Sequence, residues 1–185
     1  MRATLGKHKA TRPGERVVVA ASGGQSSTAL LHILQQGCST DSKRLLFLPS
    51  VLYLEEGAAY GEEEEVRRAR VAEVVAVLKV FGFPVHVALL ESCNQAAVSP
   101  VAEGEELVIA APAAAALAAT FAGLRESSAR QELLLQLRRA VLVRAAAELG
   151  GAKVFTGEHG TGLAVSLLAG VAGGAGQPLT RGVTP

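Results

Sequence analysis

The sequence predicts an α/β fold, a parallel sheet with helices on both faces, and three observations predict it. Short apolar runs at 17–20, 45–54, 85–90 and 153–156 alternate with longer stretches of helical periodicity. The runs stay apolar instead of alternating with polar residues, as strands covered on both faces do. The first and last runs each lead through a polar, glycine-containing turn straight into a helix. Repeated strand–turn–helix units make parallel sheets, and their ligands lie at the carboxyl edge.

Composition sets the bounds. At 185 residues and 49% hydrophobic content the chain can bury one good core, so a single α/β domain is expected. A formal net charge of +1 announces no nucleic acid; any such contact must come from local patches. Aromatics are 4% and Trp is absent, which argues against a stacking platform for single strands. Cys38 and Cys93 stand far apart, too few for a disulfide framework or a four-cysteine metal site, and a reducing compartment fits. Residues 107–124 are uncharged and long enough to suggest a membrane span, but they are alanine-rich and broken by Pro112, so no span is expected.

Residues 1–16 form a basic lead-in closed by Pro13 and Gly14, with no apolar core and hence no secretory signal. Arg2, Lys7, Lys9 and Arg12 are its candidate contacts to RNA phosphates; a solvated arm is the bland alternative. The domain proper spans 17–172. Its first strand stops at Ser22, Gly23 and Gly24, and Ala29, Leu30, Ile33 and Leu34 then recur at helical spacing, with Gly37 as the stop. The glycines permit positive φ, and Gln25, Ser26, Ser27 and Thr28 would present unpaired N–H groups at the positive end of the helix dipole, an anion cradle.

The second strand should end at Tyr53, leaving Glu55, Glu56 and Gly57 on the ligand rim. In the next helix Glu63 with Arg67 and Glu64 with Arg68 are four apart, helix-surface pairs and not a site. Val71, Val74, Leu78 and Phe81 make its apolar side; Gly82 and Pro84 end it. A third strand at 85–90 carries His86 as a strand-face residue. Residues 92–128 read as a low-complexity insertion without a strand pattern, partly helical around 107–124. A helix at 131–149 turns Leu134, Leu137, Val141 and Ala145 inward, with Arg138, Arg139 and Arg144 facing elsewhere. The fourth strand leads to Gly157, Glu158, His159 and Gly160 and a last helix; residues 173–185 are a Gly/Pro-rich tail. His159 reads as a surface histidine, with a contact to the cradle as the alternative.

The first loop is neither a Walker loop, for no Gly-Lys-Ser or Gly-Lys-Thr is present, nor a dinucleotide fingerprint, for its glycines are adjacent. It resembles the loop of the N-type ATP pyrophosphatases, Ser-Gly-Gly-x-Asp-Ser, here Ser22, Gly23, Gly24, Gln25, Ser26, Ser27. The resemblance implies an adenine nucleotide alpha hydrolase-like (PP-loop ATPase) domain. The longer context, including VVVAASGGQSSTALLHIL, KRLLFLPSVLYLEEGAAYGEEEE and GGAKVFTGEHGTGLAVSLLAG, is similar to the second-subunit family of the cytoplasmic tRNA 2-thiolation complex. That family implies a cytoplasmic protein pairing with a catalytic paralogous subunit as a heterodimer. The complex thiolates the wobble uridine of lysine, glutamate and glutamine tRNAs with sulfur from a ubiquitin-like carrier. Against that family, a cysteine-bearing amino-terminal segment is missing and the carboxyl-terminal part ends early, so truncation at both ends is expected.

Ser26 stands where active PP-loop proteins carry an aspartate that works with Mg²⁺, so ATP is expected to bind weakly or not at all, with no metal ligand set in this chain. Active tRNA-modifying relatives also carry a Gly-His-x-x-Asp-Asp turn; here Gly157, Glu158 and His159 open a turn without aspartates. No catalytic residue is assigned. The leading expectation is an assisting, non-catalytic subunit; an independent ATP-dependent tRNA thiolase and a free-standing nucleotide-binding module of the universal-stress type are the alternatives.

Overall fold

The computed structural model describes residues 11–38, 47–95, 100–102, 104–105, 107–151, 153–158 and 160–172. Five strands, β1 (Arg16–Ala20), β2 (Leu48–Glu55), β3 (Val85–Leu89), β4 (Val101–Ala102) and β5 (Lys153–Thr156), form one sheet in the order β4-β3-β2-β1-β5. The pairings among β1, β2, β3 and β5 are parallel, and β4 runs antiparallel along β3. The helices are α1 (Gln25–Cys38), α2 (Glu64–Lys79), α3 (Ala111–Gly123), α4 (Ser127–Glu148) and α5 (Gly160–Ala172). The α/β prediction holds.

The period-2 geometry of β1 divides the core. Val17 and Val19 pack with Leu31, Leu34, Val71 and Leu78, while Val18 points the other way among Leu117, Phe121, Val141 and Ala145. So α1 and α2 cover one face, α3 and α4 the other, and all three β1 valines are fully buried. Each such side chain contributes about 1.5–3 kcal/mol by leaving water. Glu64 and Glu65 in the first turn of α2 and Lys79 in its last complement the helix dipole. Beyond the end of α4, Gly150 takes φ +68° and the Gly151 N–H donates back to the Ala146 carbonyl at 2.8 Å.

Four local expectations change. Glu55 is the last residue of β2, fully buried, and not part of a rim loop. The helix α1 runs through Gly37 to Cys38. Inside residues 92–128, β4 pairs Val101 and Ala102 with Val87 and His86, although no strand pattern was expected there. A strand of two residues is too short to show a periodicity. The same segment contributes α3, whose Leu117 and Phe121 complete the second core face, and α4 begins at Ser127, before the expected 131. With 13 residues α3 is about 20 Å long, short of the roughly 30 Å of a bilayer core. Among the described residues no helix is long and apolar enough to cross a membrane.

Candidate functional site

Strand order fixes where a ligand can sit. From β1 the chain steps through β2 to β3 on one side, then returns to place β5 on the other, so the topological switch lies between β1 and β5. At the carboxyl ends there, the turns after β1, β2 and β5 and the side of α4 enclose a cleft of about 660 Å³.

The β1 turn is built on backbone. Gly23 takes φ +75°, with Val74 of α2 3.5 Å from where a Cβ would stand. The Ser22 hydroxyl accepts the Gly24 N–H at 3.4 Å. Ser27 and Thr28 both turn their hydroxyls onto the Gly24 carbonyl at 2.9 Å, and the Thr28 N–H donates to it at 3.0 Å. Gly24 therefore stands at the helix cap, and helix geometry leaves the N–H groups of Gln25, Ser26 and Ser27 without intrahelical acceptors. Ser26 is exposed in the cleft; Ser27 is buried.

Gly157 joins the second loop to the first. A Cβ there would lie 2.7 Å from the Ser27 nitrogen and 2.9 Å from the Ser26 carbonyl carbon, so only glycine lets the β5 turn rest on the first turn of α1. Glu158 follows it into the cleft lining. The assignment of His159 lies outside the described residues, as do those of Arg2, Lys7 and Lys9. Arg12 is exposed and precedes β1, at the amino edge of the sheet and away from the cleft; its backbone N–H donates to Glu15 at 2.7 Å. Lys153 also reaches Glu15, at 3.0 Å, and these two contacts, the Arg12 N–H first, hold the Glu15 carboxyl below its ordinary pKa.

The opposite wall holds Glu56, expected on the rim, together with arginines that local pattern did not assign to the site. Arg138 of α4, expected to face elsewhere, reaches Glu56 beyond β2 in a two-pronged pair, with Nη2 donating to Oε2 at 2.5 Å and Nε to Oε1. The Glu56 hydrogen bond raises the Arg138 pKa against the opposing effect of burial. Arg70 of α2 also lines the cleft and holds Glu62 at 2.6–2.7 Å; that hydrogen bond lowers the Glu62 pKa and raises that of Arg70. Burial, then the negative charge of Glu55, raises the Tyr53 pKa and keeps its phenol neutral.

Behind this wall is the largest departure from the helix-surface reading of α2. Glu64 and Arg68 do pair, at 2.7 Å and exposed. Arg67 does not pair with the Glu63 side chain: it turns inward, 1% exposed, and its Nε donates to Glu55 at 2.9 Å while Nη2 reaches both Glu55 and Glu91, the latter at 2.6 Å. Burial opposes the Arg67 charge, but the hydrogen bonds to Glu55 and Glu91 outweigh it and raise the pKa. Glu55 also accepts the Gly57 N–H at 2.7 Å, and a Cβ on Gly57 would come within 2.6 Å of that carboxylate. The cluster thereby locks the 3-10 turn Gly57–Tyr60 under the cleft. Elsewhere, burial pushes both free thiols, Cys38 and Cys93, above their ordinary pKa, away from the thiolate a nucleophile needs.

Known proteins narrow the reading. The mouse protein named cytoplasmic tRNA 2-thiolation protein 2 is 34% identical over 232 aligned residues, which cover 95% of this chain. This chain is a homologue of cytoplasmic tRNA 2-thiolation protein 2. The human protein of that name is 33% identical over 95% of the chain, and the zebrafish protein 30% over 96%. The chain spans a little under half of these relatives, 45% of the mouse protein and 44% of the human and zebrafish ones. No family model matches the chain.

Proposed function

We propose that the chain acts in the cytoplasm in the 2-thiolation of the wobble uridine of lysine, glutamate and glutamine tRNAs, as the non-catalytic half of a heterodimer with a catalytic paralogous subunit. One observation supports the reading: the first turn of α1 opens on the cleft with Ser26 exposed there, which would suit a backbone anion cradle and lacks the acid that metal-assisted chemistry would need. The N–H groups of Gln25 and Ser26, with that of Ser27 beside the Gly157 contact, would hold a phosphate. A nucleotide fits a cleft of this size. ATP would supply an activated phosphoanhydride; this chain's first loop would orient it through backbone N–H groups but offers no carboxylate for Mg²⁺.

In this reading sulfur comes from a ubiquitin-like carrier through the complex, and Arg2, Lys7, Lys9 and Arg12 contact tRNA phosphates. Arg12 stands at the amino edge of the sheet, so RNA held there would be gripped on the side away from the cleft. The test is tRNA-dependent AMP formation, measured with the chain alone, the paralogue alone and the two together. The chain alone should form none, and adding it should raise the paralogue's rate. AMP formed by the purified chain alone would make it an independent thiolase, and failure to copurify with any paralogue would favour a free-standing nucleotide-binding module.

A further inference from the structure

Both guanidinium groups lining the cleft are already held by carboxylates of the chain, Arg70 by Glu62 and Arg138 by Glu56. The Arg138 pair uses the fork of the guanidinium, Nε to one oxygen and Nη2 to the other, which is also how arginine holds a phosphate. We propose that Glu56 is an internal stand-in for a ligand phosphate, so that an anion in the cleft gains Arg138 only by displacing the Glu56 carboxylate. This rests on the cleft being an anion site, the reading given above.

Accessibility makes the exchange feasible. Arg138 and Glu56 are 42% and 19% exposed, and such a partly solvated pair is cheap to open. The Arg67 cluster shows the contrast: at 1% exposure and with two carboxylates on one guanidinium, it is structural and closed to exchange. Glu56 sits one residue past β2, and among the described residues both its carboxylate oxygens bond only Arg138, so the released side chain can turn to solvent at the rim. With Glu56 and Glu158 both in the lining, the resting cleft is poor in net positive charge; removing Glu56 would turn it cationic. Glu56 thus sets how strongly the cradle takes anions, and a partner that draws Glu56 away would switch the cleft on.

The test is calorimetric titration of the whole chain with inorganic pyrophosphate, without metal. The E56Q variant should bind about tenfold more tightly than the wild type, the size expected for one charge-assisted pair released to the ligand. E56Q/R138Q should lose that gain. Gln25→Pro removes one cradle N–H at a helix position that tolerates proline and should weaken binding in either background. In the wild type, pyrophosphate should shift the Arg138 Nε–H resonance, a readout independent of whether E56Q folds; an unmoved resonance at saturating pyrophosphate overturns the proposal. Equal affinity of wild type and E56Q also overturns it, and if Gln25→Pro weakens that shared binding, the cradle reading survives alone. Tighter binding by E56Q that ignores Gln25→Pro keeps the role of Glu56 and removes the cradle. No binding by either protein ends both.

Discussion

The turns after β1 and β2 face one another across the same cleft and are built in opposite ways. The β1 turn is backbone: Gly23 in the left-handed region, Gly157 pressed on Ser27, and three N–H groups left open by helix geometry. The β2 turn is side chain: Glu55, Glu56 and Glu62 are each taken up by an arginine of α2 or α4. A backbone cradle does not depend on the side chains around it, so serine at position 26 is compatible with the same turn. A site made of charged side chains has no such reserve, and here those charges hold the protein together.

Breaking the β2 side should therefore cost stability, and breaking the β1 side should cost binding. Arg67→Met leaves Glu55 and Glu91 buried without their cation and should lose about 3–5 kcal/mol, read from the midpoint of urea unfolding. A midpoint equal to the wild type would show that the cluster does not hold the β2 turn. Gly157→Ala drives a methyl onto the α1 backbone at 2.7 Å and should cost about 1–3 kcal/mol, together with a loss of pyrophosphate binding that Arg67→Met need not share.

A smaller effect should follow pH. Burial, only partly offset by Glu105, depresses the His86 pKa below its ordinary 6.5, and the ring Nδ1 is buried with no hydrogen-bond partner among the described residues. The unfolded chain then takes up a proton before the folded one does. Stability is full above pH 6.5 and falls as pH drops below it, until the folded pKa is passed. The Glu62 contribution runs in a separate window: with its pKa lowered, it is present above about pH 4.5 and lost as pH falls through the folded pKa. Thermal unfolding between pH 8 and 5 should show the first slope, and His86→Gln should flatten it; a slope unchanged in the variant would assign it elsewhere. Smallest of all, Arg68→Ala should cost no more than about 0.5 kcal/mol, since its pair with Glu64 is exposed. A large loss there would blur the distinction between Arg67 and Arg68.

What could be read from the chain divides along the same line. Turns whose demands are local, such as Ser22 to Gly24, declare themselves in sequence because the backbone condition and the residue that meets it are the same position, whereas Gly157 is required by a contact with Ser27 that only the fold supplies. Arg67 and Arg68 look alike by the four-residue rule, each with a glutamate one turn back. The distinguishing signal was present: Arg67 falls on the stripe of Val71 and Leu78, the buried side of α2, and so must carry its charge inward. Arg138 likewise flanks Leu134 and Val141, but its partner Glu56 is 82 residues away, a pairing only the fold supplies. β4 was illegible for want of length.

If the cradle works without a metal-binding acid, ATP affinity measured with and without Mg²⁺ in the wild type and in Ser26→Asp shows it most directly. Wild-type affinity should change less than about twofold with Mg²⁺, while Ser26→Asp, which returns a carboxylate to the cradle, should become Mg²⁺-dependent. Wild-type binding that requires Mg²⁺ would contradict the account.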